Sequence, residues 1–235
     1  MYLAFGLNAC TRGNFFGLLR YRSKQFDGFG LPQVEVLIAE VGSRALKHAW
    51  FEKWFVNRLL RPEEFGGRIH FTRTGARNYP IDTTALESQA VQAAFNRNGT
   101  YLLPMAYPEG CPQHPSYPQA HATIAGACAT ILKWFFNETT PIKNPLVASS
   151  DGTGTVPYTG SDADQMTVGG EINKLASNVG LARMFAGVHW RADYTQGLLL
   201  GEQVAISVLR DQSKLYNEDF TGFTFTTFNG IKITV

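Results

Sequence analysis

ATIAGACATILKWFF, residues 122–136, carries the signal that makes this chain a helical bundle. Apolar residues run through it at helical spacing, and its small residues gather on one side, the pattern of a helix packed closely against a neighbour. Working outward, Val36, Leu37, Val41, Ala45, Leu46, Ala49, Trp50, Trp54, Phe55 and Leu59 recur at helical spacing from Pro32 to about Leu60. One helix, or two with a kink near Gly42-Ser43, fits that run, and Pro62 with Gly66-Gly67 marks its end. Further helices are expected over 82–97, Val168–Phe185 and Ala192–Arg210. Between them lie long Pro- and Gly-punctuated loops over 98–119 and 138–166, of the length that is usually disordered or functional. Residues 223–235 alternate around Asn229-Gly230 and read as a hairpin. The expected fold is all-α: an irregular segment over 1–32, a helical bundle with long active-site loops over 33–215, and a small C-terminal β-hairpin over 216–235.

Composition narrows the function. Apolar residues make up 44% of the 235 and charged residues 17%, as in a soluble globular chain with a real core. A net charge of +2 is too small for nucleic acid to be the main partner. No stretch of about 18 apolar residues is present, so no membrane span is expected. The N-terminus shows no secretory signal pattern, and the compartment is left open. Cys10, Cys111 and Cys128 are too few for a disulfide framework, though one pair is possible. Any chemistry must come from local clusters.

Three clusters stand out. Lys53-Trp-Phe-Val-Asn-Arg-Leu-Leu-Arg61-Pro62 places two long cations eight apart, about 80° apart on a helix surface, able to converge on one anion. A solvated basic helix end is the plainer reading. His114-Pro-Ser-Tyr-Pro-Gln-Ala-His121 precedes an apolar helix, and the free N–H groups of a helix N-terminus form an anion site beside which His121 can exchange protons. The plainer readings are a Pro-rich turn with a capping His121, or a zinc pair, for which the spacing of seven is poor. In Arg183-Met-Phe-Ala-Gly-Val-His189-Trp-Arg-Ala-Asp193, a helix starting near His189 brings the Asp193 carboxylate to one ring nitrogen. The other nitrogen is left as nucleophile or ligand, and Arg183 presents a planar fork to an oxyanion. A helix-end salt bridge is the alternative. Together the clusters describe a pocket for a phosphate-shaped anion approached by a histidine.

The K-x7-RP, PSYPxxHAT and R-x5-H-x3-D patterns resemble the three signatures of the vanadium haloperoxidase and type-2 phosphatidic acid phosphatase superfamily. The Lys53–Arg61 spacing and His114 resemble its bromoperoxidases. The resemblance runs from about Trp50 to Gly201, and the chain looks like the C-terminal half of such a protein or a shortened member. It implies vanadate as cofactor, with His189 binding vanadium directly. Lys53, Arg61 and Arg183 would hold its oxygens, and Lys53 would also polarise bound peroxide. His121 would act as acid–base, Asp193 would orient His189, and His114 would tune the halide side. Gln119-Ala120 stand where the family has Ser-Gly; Ala120 still offers its N–H, and Gln119 could donate through its amide. Losing one charge-assisted contact there costs on the order of 1.5–3 kcal/mol.

The implied activity is oxidation of bromide or iodide by hydrogen peroxide to hypohalous acid, which halogenates small organic acceptors, in a homo-oligomer. Two alternatives are a phosphatase working through a phosphohistidine at His189, and a non-catalytic or assembly-dependent fragment.

Overall fold

The computed structural model describes residues 30–216 and 219–235. The expected irregular segment lies outside the described residues except at its end, and Cys10 lies outside with it. Leu31-Pro32 do not close that segment: they open helix α1 (Leu31–Phe51), where a first-turn proline has no N–H to waste. α1 runs through Gly42 without a break. It passes at Glu52–Asn57 into a π-helical turn that ends on Arg58 in the left-handed conformation.

Helix α2 (Pro62–Arg73) then begins where the sequence suggested only a break. Pro62 again sits in a first turn, and Gly66 lets the helix pass Leu103, whose backbone N would be 3.1 Å from an added Cβ. The expected helix over 82–97 is two, α3 (Thr83–Leu86) and α4 (Gln89–Asn98), separated at Ser88, whose hydroxyl caps the second. The bundle proper continues with α5 (Ala120–Phe135), α6 (Val168–Phe185) and α7 (Arg191–Ser213). The 138–166 loop is not wholly irregular: β1 (Leu146–Ala148) and β2 (Thr155–Pro157) form an antiparallel arm with exposed Leu146, Val147 and Val156.

α5 is the axis of the bundle. Gly42 and Ile38 of α1 lie against Ile124 and Cys128, so the two helices run antiparallel. α6 also runs antiparallel to it, with Gly169 at Glu138 and Gly180 at Gln119. α7 runs parallel. A Cβ on Gly197 would meet the Gln119 carbonyl at 2.9 Å, and one on Gly201 the Thr123 carbonyl at 2.0 Å. From the other side, a Cβ on Gly126 would meet the Leu198 carbonyl at 2.3 Å. The small-residue face of residues 122–136 is therefore a seam where two backbones touch, which no larger side chain permits. This geometry gathers four helix ends at one pole: the π-turned end of α1, the start of α5, the end of α6 and the start of α7.

At the opposite pole β3 (Thr224–Thr226) pairs antiparallel with β4 (Lys232–Thr234), as Asn229-Gly230 suggested, with Gly230 supplying the positive φ of +79°. Phe223 and Phe225 are fully buried under Trp134, each stabilising by roughly 1.5–3 kcal/mol. Glu138 accepts from Thr226 N–H and Glu202 from Phe228 N–H, and Glu202 also forms an ion pair with the buried Lys133, 3.7 Å away. No described helix is long and apolar enough to cross a membrane.

Candidate functional site

The four gathered helix ends carry the three clusters. Lys53 and Arg61 converge, but not on one helix face as their spacing suggested. Lys53 sits in the π-turn, the left-handed Arg58 reverses the chain, and Arg61 is the N-cap residue of α2. Neither is a solvated helix end, since Lys53 is 0% and Arg61 1% exposed. Lys53 Nζ donates to the carbonyls of Pro115, at 2.6 Å, and Ser116, at 2.9 Å. Arg61 donates from Nε to the His114 carbonyl and from Nη1 to the Val188 carbonyl.

Arg61 also fixes the state of His189. A guanidinium only donates, so with Nη1 2.9 Å from His189 Nε2 that nitrogen must hold the lone pair. The proton is then on Nδ1, which donates to Asp193 Oδ2 at 2.9 Å. Burial, the Asp193 hydrogen bond and the neighbouring cations leave the ring's pKa at about 4, with burial and Arg61 overcoming Asp193. His189 is thus a neutral imidazole whose Nε2 lone pair faces the cations. Asp193 owes its place to local rules: as the third residue of α7 it accepts the Trp190 N–H at 2.9 Å, half of a capping box. Burial pushes its carboxyl up, but the bonds from His189, Ser116 and Trp190 outweigh that and hold it below the usual value.

His114 reads the same way. Its Nδ1 faces Arg61 Nη2 at 3.0 Å and must accept, and its ring lies 5.2 Å from that of Trp50. Burial, Lys53 and Arg61 lower its pKa to about 4. His121 is exposed, in the first turn of α5, and its pKa is lowered by burial and by Arg183, Lys53 and Arg61. Arg183 is half-buried at the end of α6; Nη1 donates to Tyr107 Oη at 3.0 Å, and its buried Nε has no partner. Ala120 opens α5, where first-turn N–H groups have no partner within the helix.

Gln119 departs from expectation. Its Nε2 donates to the Gly180 carbonyl at 3.1 Å, tying the start of α5 to α6 instead of reaching the anion pocket, and its side chain is 0% exposed. Gln119→Ser should therefore lower Tm by loosening that tie. It should also tighten orthovanadate binding by about tenfold, the worth of one hydrogen bond to a charged group; calorimetric titration with the apo chain checks it. Residue spacing gave no access to Ser116, which donates to Asp193, to Tyr107 or to Trp50. Ser116 and Trp50 lie inside or beside the quoted motifs, but no pattern rule says which way a serine in a Pro-rich turn points.

Residues 79–218 match the VCPO second helical-bundle domain family. The chain belongs to that family. This VCPO-type bundle is 38% identical to the vanadium-dependent bromoperoxidase of Ascophyllum nodosum over 246 residues, covering 97% of the chain and 42% of the relative. It is 38% identical to that of Corallina pilulifera over 229 residues, covering 89% and 38%. The homohexameric structure of the second vanadate-dependent bromoperoxidase of A. nodosum superposes with a TM-score of 0.78 at 31% identity, covering 90% of the chain and 41% of that one. The VCPO-type bundle here thus spans about two fifths of the length of these relatives.

Proposed function

We propose that the chain holds orthovanadate against His189 and, in its assembled form, oxidises bromide or iodide with hydrogen peroxide to hypohalous acid, which halogenates small organic acceptors. One observation carries the reading. Lys53 and Arg61 are buried and Arg183 half-buried around a neutral histidine. Among the described residues, no carboxylate lies within 4.0 Å of any of their side-chain nitrogens. Buried charge without a partner is costly, and an oxyanion is the partner this donor set fits. The orphaned Arg183 Nε and the Nε2 lone pair fit the same group. The 38% identity to vanadium-dependent bromoperoxidases supports the choice of vanadate over phosphate.

When bound, vanadate supplies a Lewis-acidic centre that activates peroxide toward halide. The residues do the rest. His189 offers Nε2, kept proton-free by Asp193 on its far side. Lys53, Arg61 and Arg183 would hold the anion's oxygens as preorganised positive charge. The exposed His121, neutral near pH 7, is placed to take a proton from incoming peroxide and return it to the leaving oxygen. His114 and Trp50 form the wall on the Arg61 side, where halide would approach. The apolar residues left exposed, among them Phe55 and Phe185, and the homohexameric state of the similar structure support a homo-oligomer.

Bromination and phosphate-ester hydrolysis measured in parallel, with and without vanadate, test the reading. Vanadate-dependent bromination with no hydrolysis is expected; hydrolysis inhibited by vanadate would make the chain a phosphatase, and neither activity in the assembled protein would make it non-catalytic.

A pH dependence follows. Burial and Arg61 lower the Lys53 pKa from 10.5 to about 7, against a smaller opposing pull from Asp193. Between those values the unfolded chain keeps a proton that the folded chain has released, so this group makes the anion-free protein more stable as pH rises. An anion requires the charged form, so its affinity should fall across the same window. Melting curves from pH 6 to 9, with and without phosphate, should show the stabilisation by phosphate shrinking with pH.

A further inference from the structure

Asp193 is held unevenly. Oδ2 accepts from Ser116 Oγ, His189 Nδ1 and the Trp190 N–H, while the equally buried Oδ1 has no partner. Of the three donors, the Trp190 N–H comes with the helix N-terminus, and His189 is the group to be oriented. Ser116 alone reaches Asp193 from a separate segment of chain, so it alone fixes the carboxylate plane relative to the rest of the pocket. The other groups of Ser116 are spent on the same pocket: its N–H donates to the Leu59 carbonyl at 2.9 Å, and its carbonyl accepts Lys53 Nζ at 2.9 Å. Its Oγ also lies 3.5 Å from His189 Nδ1, and the residue is 0% exposed.

We propose that Ser116 is a positioning residue: its hydroxyl locks the Asp193 carboxylate so that the Nδ1–H of His189 has a fixed acceptor and the Nε2 lone pair a fixed direction, while its backbone registers that pair against Lys53 and the segment leading to Arg61. The Ser116 hydroxyl acts through Asp193, and its carbonyl holds Lys53. Without the hydroxyl, the carboxylate is free to turn about Cβ–Cγ and offer Oδ1, and the ring loses its fixed direction. The cations are untouched, because an alanine keeps both backbone bonds. The inference rests on the reading of His189 as the vanadate-binding histidine, and its test separates the two.

Ser116→Ala should weaken orthovanadate binding about tenfold, the scale of one hydrogen bond to a charged group. Orthophosphate, held by the cations alone, should change less than twofold. Ser116→Thr, which keeps the hydroxyl, should restore vanadate binding to within about threefold. At one fixed pH near 7, NMR of the anion-free chain should show the His189 Nδ1–H as strongly hydrogen-bonded in wild type and in Ser116→Thr and shifted upfield, as a weaker bond, in Ser116→Ala, with Arg61 keeping Nε2 proton-free in all three. Should the alanine variant not fold, Ser116→Cys, of similar shape and a weaker donor, serves in its place with an intermediate effect expected. Unchanged vanadate affinity together with an unchanged Nδ1–H shift overturns the proposal, and so does equal weakening of both anions. If the wild type binds neither anion, the vanadate reading fails, while the Nδ1–H measurement still decides the role of Ser116.

Discussion

In His189→Ala, vanadate-dependent bromination should fall by at least on the order of 10³-fold, the size of effect seen when the central member of a catalytic group is removed. The structure separates this loss from unfolding. Asp193 would keep its bonds from Ser116 and the Trp190 N–H, and Arg61 would keep those to the His114 and Val188 carbonyls. The two anions should part company in the variant. Phosphate needs only the charge of Lys53, Arg61 and Arg183, so its affinity should stay within about tenfold. Vanadate also needs the Nε2 lone pair and should bind far more weakly. Bromination near wild-type level in a folded His189→Ala chain would remove the histidine from the chemistry.

The largest structural effect should come from a single methyl group. At Gly201 an added Cβ falls 2.0 Å from the Thr123 carbonyl and 2.7 Å from the Ala127 N, both backbone atoms of α5 that no rotamer change can move. Overpacking usually costs about 1–3 kcal/mol, and contact with backbone puts Gly201→Ala at or above the top of that range. For a chain of this length that is a fall in Tm of roughly 6–12 °C. Vanadate binding should weaken with it, because the same seam holds Gln119–His121 beside His189 and Asp193. Gly67→Ala is the control: its Cβ meets nothing within 4 Å, and within α2 alanine should stabilise by about 0.5–1 kcal/mol. A Gly201→Ala chain that melts like wild type would refute the seam.

Much of the bundle was legible because its signals are periodic. The small-residue face of 122–136 announced a close helix neighbour, 168–185 matched its helix to the residue, and Asn229-Gly230 marked its hairpin. The errors lie where one physical rule overrode another. Pro62 and Gly66-Gly67 read as a break, yet a proline starts a helix as readily as it ends one, and Gly66 is there for Leu103. The 146–157 arm is too short and too exposed to show a pattern. In the site, the histidine, cation and carboxylate positions could be read because three ordered motifs carry them. Their states could not. That Lys53 and Arg61 meet across a left-handed Arg58, that His189 is neutral with Nε2 proton-free, and that Gln119 is engaged with Gly180 all depend on neighbours distant in sequence.

The glycine seam has one more consequence, for where variation can be accommodated. Backbones in contact have no slack, so the wall made by the starts of α5 and α7 cannot breathe by rotamer exchange and behaves as a fixed jaw. Of the facing 99–119 connection, His114–Ser116 are tied to Arg61 and Lys53 through their carbonyls and Tyr107 to Arg183, while Met105 lies outside these ties and outside the seam. Tolerance for bulkier or differently shaped acceptors should therefore be found by altering Met105, leaving the grip on the anion as it stands.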